Sequence, residues 1–221
     1  AFTNLSGTPP KAKFIAAVRD QVMLGYTNDG TDGEKPYRLW WSGINSATSW
    51  TPGTGLSDYQ DVVDAGDLTG LIGGEYAIAL FERAIVRLSF VGAPLIYQVD
   101  RLTNQRGCSV PGSVASVGND LKPIGAEKIN RWFLNRFKLA SAENMVSAVD
   151  PINQNVIWSY ASTDSASGEN DEILIYNYNL NRWSFGQAGC DALAQLFTVG
   201  YTLEQLDNIS ANIDTLPASF D

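Results

Sequence analysis

The side chains best suited to chemistry in this sequence are carboxylates, and they fall into three groups. Asp29, Asp32 and Glu34 form the first, Asp58, Asp61 and Asp64 the second, and Glu169, Asp171 and Glu172 the third. Clustered oxygens can hold a hard cation, and the run Asn28-Asp29-Gly30-Thr31-Asp32-Gly33-Glu34 has a loose likeness to a calcium loop. Its spacing does not match an EF-hand loop, and no helical pattern flanks it. A long hairpin turn using Asn and Gly at positive φ accounts for it more simply. Paired carboxylates hydrolyse glycosides when held at a fixed separation. Asp58, Asp61 and Asp64 stand at i, i+3 and i+6, which gives no fixed pair on a strand or loop. The chain has no histidine, so it lacks the commonest general base and metal ligand. That removes Ser-His-Asp and Cys-His catalysis and His-based zinc sites within this chain. Cys108 and Cys190 are the only cysteines; far apart in sequence, they make neither a disulfide framework nor a metal site. We expect two small buried hydrophobes there, with a single disulfide as the other reading. The chemistry-bearing residues therefore lead us to expect no catalytic residue, no metal and no cofactor.

The aromatic residues offer a different kind of site. Trp50 stands in a loop, Asn45 to Gly55, and must be buried somewhere. Trp132 and Phe133 sit at i+3 and i+4 from Ile129 and share one helical face. Exposed apolar groups beside polar rims make subunit contacts, so Trp50, Trp132 and Phe133 are the interface candidates. The competing reading is that all three are core aromatics.

These groups need elements to hold them, and the sequence between Gly70 and Val99 sets the pattern. Tyr76, Ile78 and Leu80 alternate with Ala77, Ala79 and Phe81. After a turn at Glu82-Arg83, Val86, Leu88 and Phe90 alternate with Ile85, Arg87 and Ser89. Gly92-Ala93-Pro94 breaks the run, and Leu95, Tyr97 and Val99 follow. Period-two alternation bounded by Gly and Pro marks antiparallel strands. The alanines predict that the second face is also covered, since small residues let another sheet come close. A meander covered on both faces is the repeating unit of a β-propeller, and one hairpin of a β-sandwich is the alternative. Met145 to Phe185 has the same plan, with a polar loop tip at Ser162 to Asp171. Further strands are expected at Phe14–Val18, Val22–Tyr26, Pro36–Ser42, Tyr59–Val63 and Ser113–Gly118. Lys122 to Asn135 is the one helical stretch, read as an insertion at a blade edge or a docking element.

An internal echo supports a repeat. GCSVPGSVASVG, from Gly107 to Gly118, and GCDALAQLFTVG, from Gly189 to Gly200, both open on Gly-Cys and close on Val-Gly. They lie two units of about 40 residues apart, near the propeller repeat length. The expected fold is all-β: a propeller-like array of antiparallel four-stranded meanders, in part or whole, with one short helix near 125–135. We expect one such domain over residues 1–221. The chain opens on Ala in mid-phrase and its tail, Asn208 to Asp221, ends without finishing a blade, so we expect a trimmed form or a piece of a longer chain.

The runs RLWWSGINSATSWTPGTGLSDYQDV, GLIGGEYAIALFERAIVRLSFVG, RGCSVPGSVASVGND, LKPIGAEKINRWF and NMVSAVDPINQNVIWSYAS resemble phage virion proteins. Among these they look like the tail hub, nozzle or tubular proteins of short-tailed phages, including those called packaged-DNA stabilisation proteins. The resemblance spans most of residues 12–207 and rests on phrase-like matches rather than a catalytic motif. It implies a propeller-based subunit of the virion tail, assembled in the host cytoplasm as a ring of copies of itself below the portal. Portal or adaptor and other tail proteins would be its neighbours, and DNA would pass through without specific binding. One departure stands out: such proteins carry a further hairpin where this chain passes from Asp120 to Leu121.

On that reading the work is assembly and passage rather than catalysis. The formal net charge is −9, which argues against nucleic-acid binding by counterion release. It suits a lumen that repels phosphate, as it suits ordinary solubility. The three carboxylate groups are the lumen candidates. The alternative function is a glycan-binding, receptor-recognising propeller, and behind it a glycoside-acting enzyme. No apolar run approaches the ~20 residues of a membrane-spanning helix, so no membrane span is expected.

Overall fold

Within each sheet of this chain every strand runs back along the one before it, because most of the connections inside a sheet are short and built from residues suited to reversal. A computed structural model describes residues 5–117, 124–125 and 128–194. It contains three four-stranded antiparallel sheets, each a simple meander in chain order. Sheet 1 comprises β1 (Lys11–Val18), β2 (Gln21–Asp29), β3 (Gly33–Trp41) and β4 (Asp58–Asp61). Sheet 2 comprises β5 (Leu68–Ile72), β6 (Ala77–Phe81), β7 (Ile85–Gly92) and β8 (Ile96–Thr103). Sheet 3 comprises β9 (Val146–Asp150), β10 (Asn155–Tyr160), β11 (Glu172–Asn177) and β12 (Arg182–Gly186). One helix, α1 (Asn130–Arg136), precedes sheet 3. The fold is thus an all-β, propeller-like array of four-stranded meanders. Among the described residues the array is open, with no closed barrel.

Sheets 1 and 2 share a core. Met23, Leu39 and Trp41 from sheet 1 meet Ala77, Ala79, Phe81, Val86, Leu88 and Tyr97 from sheet 2. The alanines on β6 give up volume so that the larger side chains opposite can reach across. Burying a side chain the size of Phe81 contributes about 1.5–3 kcal/mol. A polar tie runs through this core: the Tyr97 hydroxyl donates to Gln21 Oε1 at 2.9 Å, and Gln21 Nε2 donates to the Ser42 carbonyl at 2.5 Å. Burial pushes the Tyr97 phenol up to about 12.

The other face of β6 is covered as the alternation requires, by the strap that follows Thr103. The Cys108 amide donates to the Phe81 carbonyl at 2.8 Å, and Val114 lies against Gly70. The same strap reaches sheet 3: the Val114 carbonyl accepts from Ser147 Oγ at 2.8 Å, and the Ser113 carbonyl from Trp158 Nε1 at 2.9 Å. It is the mortar between sheets 2 and 3, and it explains an expectation that failed. Ser113–Gly118 is not a strand within the described residues. Pro111–Ser113 is a 3-10 turn and residues 114–117 join no ladder, because the strap lies across two sheets rather than along the edge of one.

Other boundaries also move. β5 was not anticipated: Thr69 and Gly70 interrupt its apolar pattern, and a bulge falls between Leu68 and Gly70. The strand expected at Tyr59–Val63 is β4 at Asp58–Asp61, followed by a 3-10 turn at Val63–Ala65. The helix expected from Lys122 is α1 at Asn130–Arg136; residues 118–123 and 126–127, the tail from 195, and the Asp120–Leu121 junction lie outside the described residues. Ser162–Asp171 is a tied-down loop rather than a free tip. Lys138 Nζ donates to the Ser165 carbonyl at 2.6 Å and Asn144 Nδ2 to the Gly168 carbonyl at 3.0 Å. Cys108 and Cys190 are free and half-buried.

Candidate functional site

Two ion-pair centres, each built on a buried side chain, take up four of the nine acidic candidates. The first is built on Arg38, which β3 carries into the interior between Tyr37 and Leu39. Register places Arg38 directly opposite Asp61 on β4. The guanidinium grips that carboxylate with both edges, Nε to Oδ1 at 2.7 Å and Nη2 to Oδ2 at 2.9 Å. Its Nη1 reaches Asp32 Oδ2 at 2.6 Å and Asp29 Oδ2 at 3.6 Å. Tyr59 closes one side, its ring centroid 3.9 Å from the guanidinium carbon, a cation–π contact. Asp29 also shapes the β2–β3 turn, where its Oδ1 accepts the Thr31 and Asp32 amides at 2.7 Å each. The Asp32 amide, more than the Thr31 amide and Arg38, holds the Asp29 carboxyl below the usual carboxylate range. The Asn28–Glu34 run is a hairpin turn, with Gly33 at φ +72°, and two of its acids, Asp29 and Asp32, turn onto Arg38.

The second centre joins α1 to sheet 3. Glu172, the first residue of β11, is buried and faces Arg136 at the end of α1. Arg136 Nη2 pairs with Glu172 Oε1, and Nε donates to Oε2 at 3.2 Å. The Tyr160 hydroxyl donates to Oε2 at 2.7 Å. Arg136, then the Tyr160 hydrogen bond, hold the Glu172 carboxyl below its ordinary value. Asp171 beside it accepts from the Ser162 amide at 2.7 Å and from Ser162 Oγ at 2.8 Å, closing the loop.

The remaining acids lie outward. Asp58 is half-buried and accepts the Tyr59 amide at 2.9 Å. Asp64 is exposed and pairs with Arg101, which lowers its pKa. Glu34 and Glu169 are exposed, and Glu169 accepts from Ser167 Oγ at 3.2 Å. Nine acids taken as three surface clusters thus divide by role. Asp29, Asp32, Asp61, Asp171 and Glu172 hold the fold, Glu34, Asp64 and Glu169 face solvent, and Asp58 lies half-buried between the two groups.

The aromatic candidates divide too. Trp50 is 3% exposed and packs with Leu24 and Trp40 on the outer face of sheet 1. Its indole donates to the Ala47 carbonyl at 2.9 Å and its own carbonyl accepts from Trp40 Nε1 at 3.2 Å. It is a core aromatic and offers no surface to a neighbour. Phe133 stacks on Phe137 at 5.1 Å and meets Tyr160 edge-on at 5.0 Å, so it pins α1 to sheet 3. Trp132 is half-buried, and its outer side carries Phe185 at 5.0 Å, tilted 47°. Phe185, on β12, is 63% exposed. Trp132 and Phe185 form an aromatic pair open to solvent.

Arg38, Arg136 and Phe185 are the residues that sequence reasoning missed. Arg38 had a signal: one arginine inside the apolar strand PYRLWWS, with acidic runs before and after it. A lone buried cation needs counterions, and those two runs supply them. Arg136 had no such signal, because its partner is contributed by a strand far along the chain. The known family models and the curated proteins contain no match to this chain.

The Glu172 centre gives a pH dependence whose sign is fixed. A carboxyl whose folded pKa is depressed contributes stability that is present above its unfolded value, about 4.3, and is lost as pH falls through the folded value. The melting temperature of the protein should therefore fall below about pH 4.3, and Glu172→Gln should flatten part of that fall. Thermal melts from pH 6 to pH 3 read this; parallel curves for the two proteins would contradict it.

Proposed function

We propose that the chain is a structural virion protein of a phage tail or head-to-tail connector, one of several copies in a ring around the DNA conduit. The observation that carries this reading is the Trp132–Phe185 pair. A 63%-exposed phenylalanine laid on a half-buried tryptophan is an apolar contact left open at the surface, next to the charged Arg136, as subunit interfaces are built. The runs that resemble tail hub and nozzle proteins support it, as does the propeller-like stacking of meanders. The chemistry supports it as well: Asp61 and Glu172 are gripped by Arg38 and Arg136, so these carboxylates join elements of the fold rather than face a substrate. Neighbours in the particle would be portal or adaptor proteins and other tail proteins, and DNA would be repelled rather than bound. Glu34, Asp64 and Glu169 are the acids left to line such a lumen, and repulsion between them and phosphate would keep a hydrated gap. The burial of Trp50 disfavours a glycan platform in its loop.

Phe185→Asp tests the reading. Because Phe185 is mostly exposed, the substitution should leave the melting temperature within about 2 °C of the parent. It should abolish the assembled species in sedimentation velocity. An assembly of unchanged size would contradict the proposal. Trp132→Ala is a less clean probe, since Trp132 also packs against the core of sheet 3.

A further inference from the structure

One stretch of this acidic chain reverses its sign. Residues 128–142 hold Lys128, Arg131, Arg136 and Lys138 and no acid, in a chain whose formal net charge is −9. They run through α1 and into the 3-10 segment Leu139–Asn144. Lys128 and Arg131 are exposed. Lys138 Nζ rests on two carbonyls, Ser165 at 2.6 Å and Ala166 at 3.4 Å, which hold it without neutralising it. Arg136 is paired with Glu172. Large apolar side chains stand among these cations. Leu134 is 66% exposed and Leu139 is 74% exposed. Arg131 and Leu134, three residues apart on α1, share one side of the helix. The Trp132–Phe185 pair adjoins them.

A second stretch is its counterpart. Residues 57–67 hold Asp58, Asp61, Asp64 and Asp67 and no cation. They form β4, the edge strand of sheet 1, and the 3-10 turn at Val63–Ala65. Asp61 is taken by Arg38 and Asp64 by Arg101. Asp58 and Asp67 are half-buried, and no cation pairs with them among the described residues. Here too large side chains reach solvent, since Val63 is 63% exposed and Tyr59 is 37% exposed. The two surfaces belong to different parts of the molecule. Trp132 and Phe133 fasten α1 to the core of sheet 3, whereas Val62 and Ala65 fasten the 57–67 segment to the core shared by sheets 1 and 2.

We propose that the basic α1 surface of one copy docks on the acidic β4 edge of a second copy. The inference rests on the ring reading and names what the surface around the Trp132–Phe185 pair meets there. Charge decides between the ways two copies can join. A two-fold contact would set α1 against α1 and oppose like charges, which costs stability. Lys128 and Arg131 placed opposite Asp58 and Asp67 attract instead. Leu134 and Leu139 then meet Tyr59 and Val63, which gives an apolar centre with a charged rim. Because the contact joins two different surfaces, each copy keeps one of them free for the next. Such a contact repeats from copy to copy, and it closes into a ring where the rotation allows.

The test reads assembly and contact in the full chain. In sedimentation velocity the assembly should loosen as NaCl rises from about 50 to about 500 mM, because rim charges are screened. Arg131→Glu should raise the concentration needed for half assembly about tenfold or more, with the melting temperature within about 2 °C of the parent. The contact is then located with p-benzoylphenylalanine in place of the exposed Leu139, irradiated in the assembled state and mapped by mass spectrometry. The expected products join two chains and end on peptides within 57–67. Products that end on 128–142 or on any other region, or no product at all, would overturn the inference. So would an assembly indifferent to both salt and Arg131→Glu, which holds even if the photoreactive chain fails to fold. In each of these cases the ring reading survives if Phe185→Asp still abolishes assembly. A parent chain that stays monomeric at every salt concentration would overturn both together.

Discussion

Replacing Arg38 by Met lowers the melting temperature by about 6–12 °C. The side chain it removes is buried, and three carboxylates point at the space it leaves: Asp61 from two sides, Asp32 and Asp29. Breaking a buried charge cluster at one partner costs about 3–5 kcal/mol, because the others keep their desolvation without their counterion. Asp32 and Asp61 retain 40% and 29% of their side-chain exposure, so water takes up part of that loss and about 3 kcal/mol is the fitting figure. For a chain of this length that converts to the stated shift. Arg38→Lys should recover less than half of it, since an ammonium cannot grip Asp61 along both edges. Thermal melts at neutral pH and low salt check both. A shift below about 2 °C for Arg38→Met would mean that the cluster is a surface network of little weight.

Gly112→Ala should be as damaging although it adds one methyl group. That Cβ would stand 1.5 Å from the carbonyl oxygen of Met145, the residue just before β9. The obstacle is backbone, so no rotamer can relieve it; the strap or sheet 3 must move. Overpacking against main chain costs about 3 kcal/mol at the upper end of its range, hence a fall of about 6–12 °C. The loss should be local in origin. Ser113, next to the substitution, accepts the Trp158 indole hydrogen bond, so the near-ultraviolet dichroism of the tryptophans should change before global unfolding. A variant with parental stability and unchanged dichroism would show that the strap is not what joins sheets 2 and 3.

Both effects bear on what the sequence could reveal. The meanders were legible because alternation is local: Ala77 to Phe81 and Ile85 to Phe90 show their two faces without reference to any other part of the chain. The alanines even carried the tertiary message that another sheet closes over β6. Register was not legible. The Arg38–Asp61 pairing depends on which residue of β4 stands opposite β3, so the acids at Asp29, Asp32 and Asp61 read as surface clusters when they are inward ligands of one guanidinium. The strap was lost for a related reason. Ser113 to Val117 has strand-like composition, but it satisfies its backbone against two different sheets rather than one neighbour. Trp50 shows the converse: a tryptophan in a polar loop looks like an exposed anchor until the fold supplies Leu24 and Trp40 beneath it. Phe185 was passed over because it closes a short return strand, where alternation has too few residues to say which way it points.

The Gly-Cys echo was visible in the sequence as a short coincidence of letters. In the fold it marks two places, Gly107 and Gly189, where the missing Cβ of a glycine lets backbone meet backbone. That is why so brief a motif can signal a repeat: the constraint lies in one residue, and the rest of the segment is free to vary.

The claim that this chain is a ring subunit of a phage particle is tested most directly by the native mass of the species that contains it, taken from its source rather than from recombinant monomer. The expected result is a large assembly with a fixed number of copies, accompanied by portal-sized and other tail proteins. A monomer or small oligomer free of such partners would contradict it. Attention would then turn to the open Trp132–Phe185 pair as a ligand site, with a glycan-dependent rise in melting temperature as the next thing to look for.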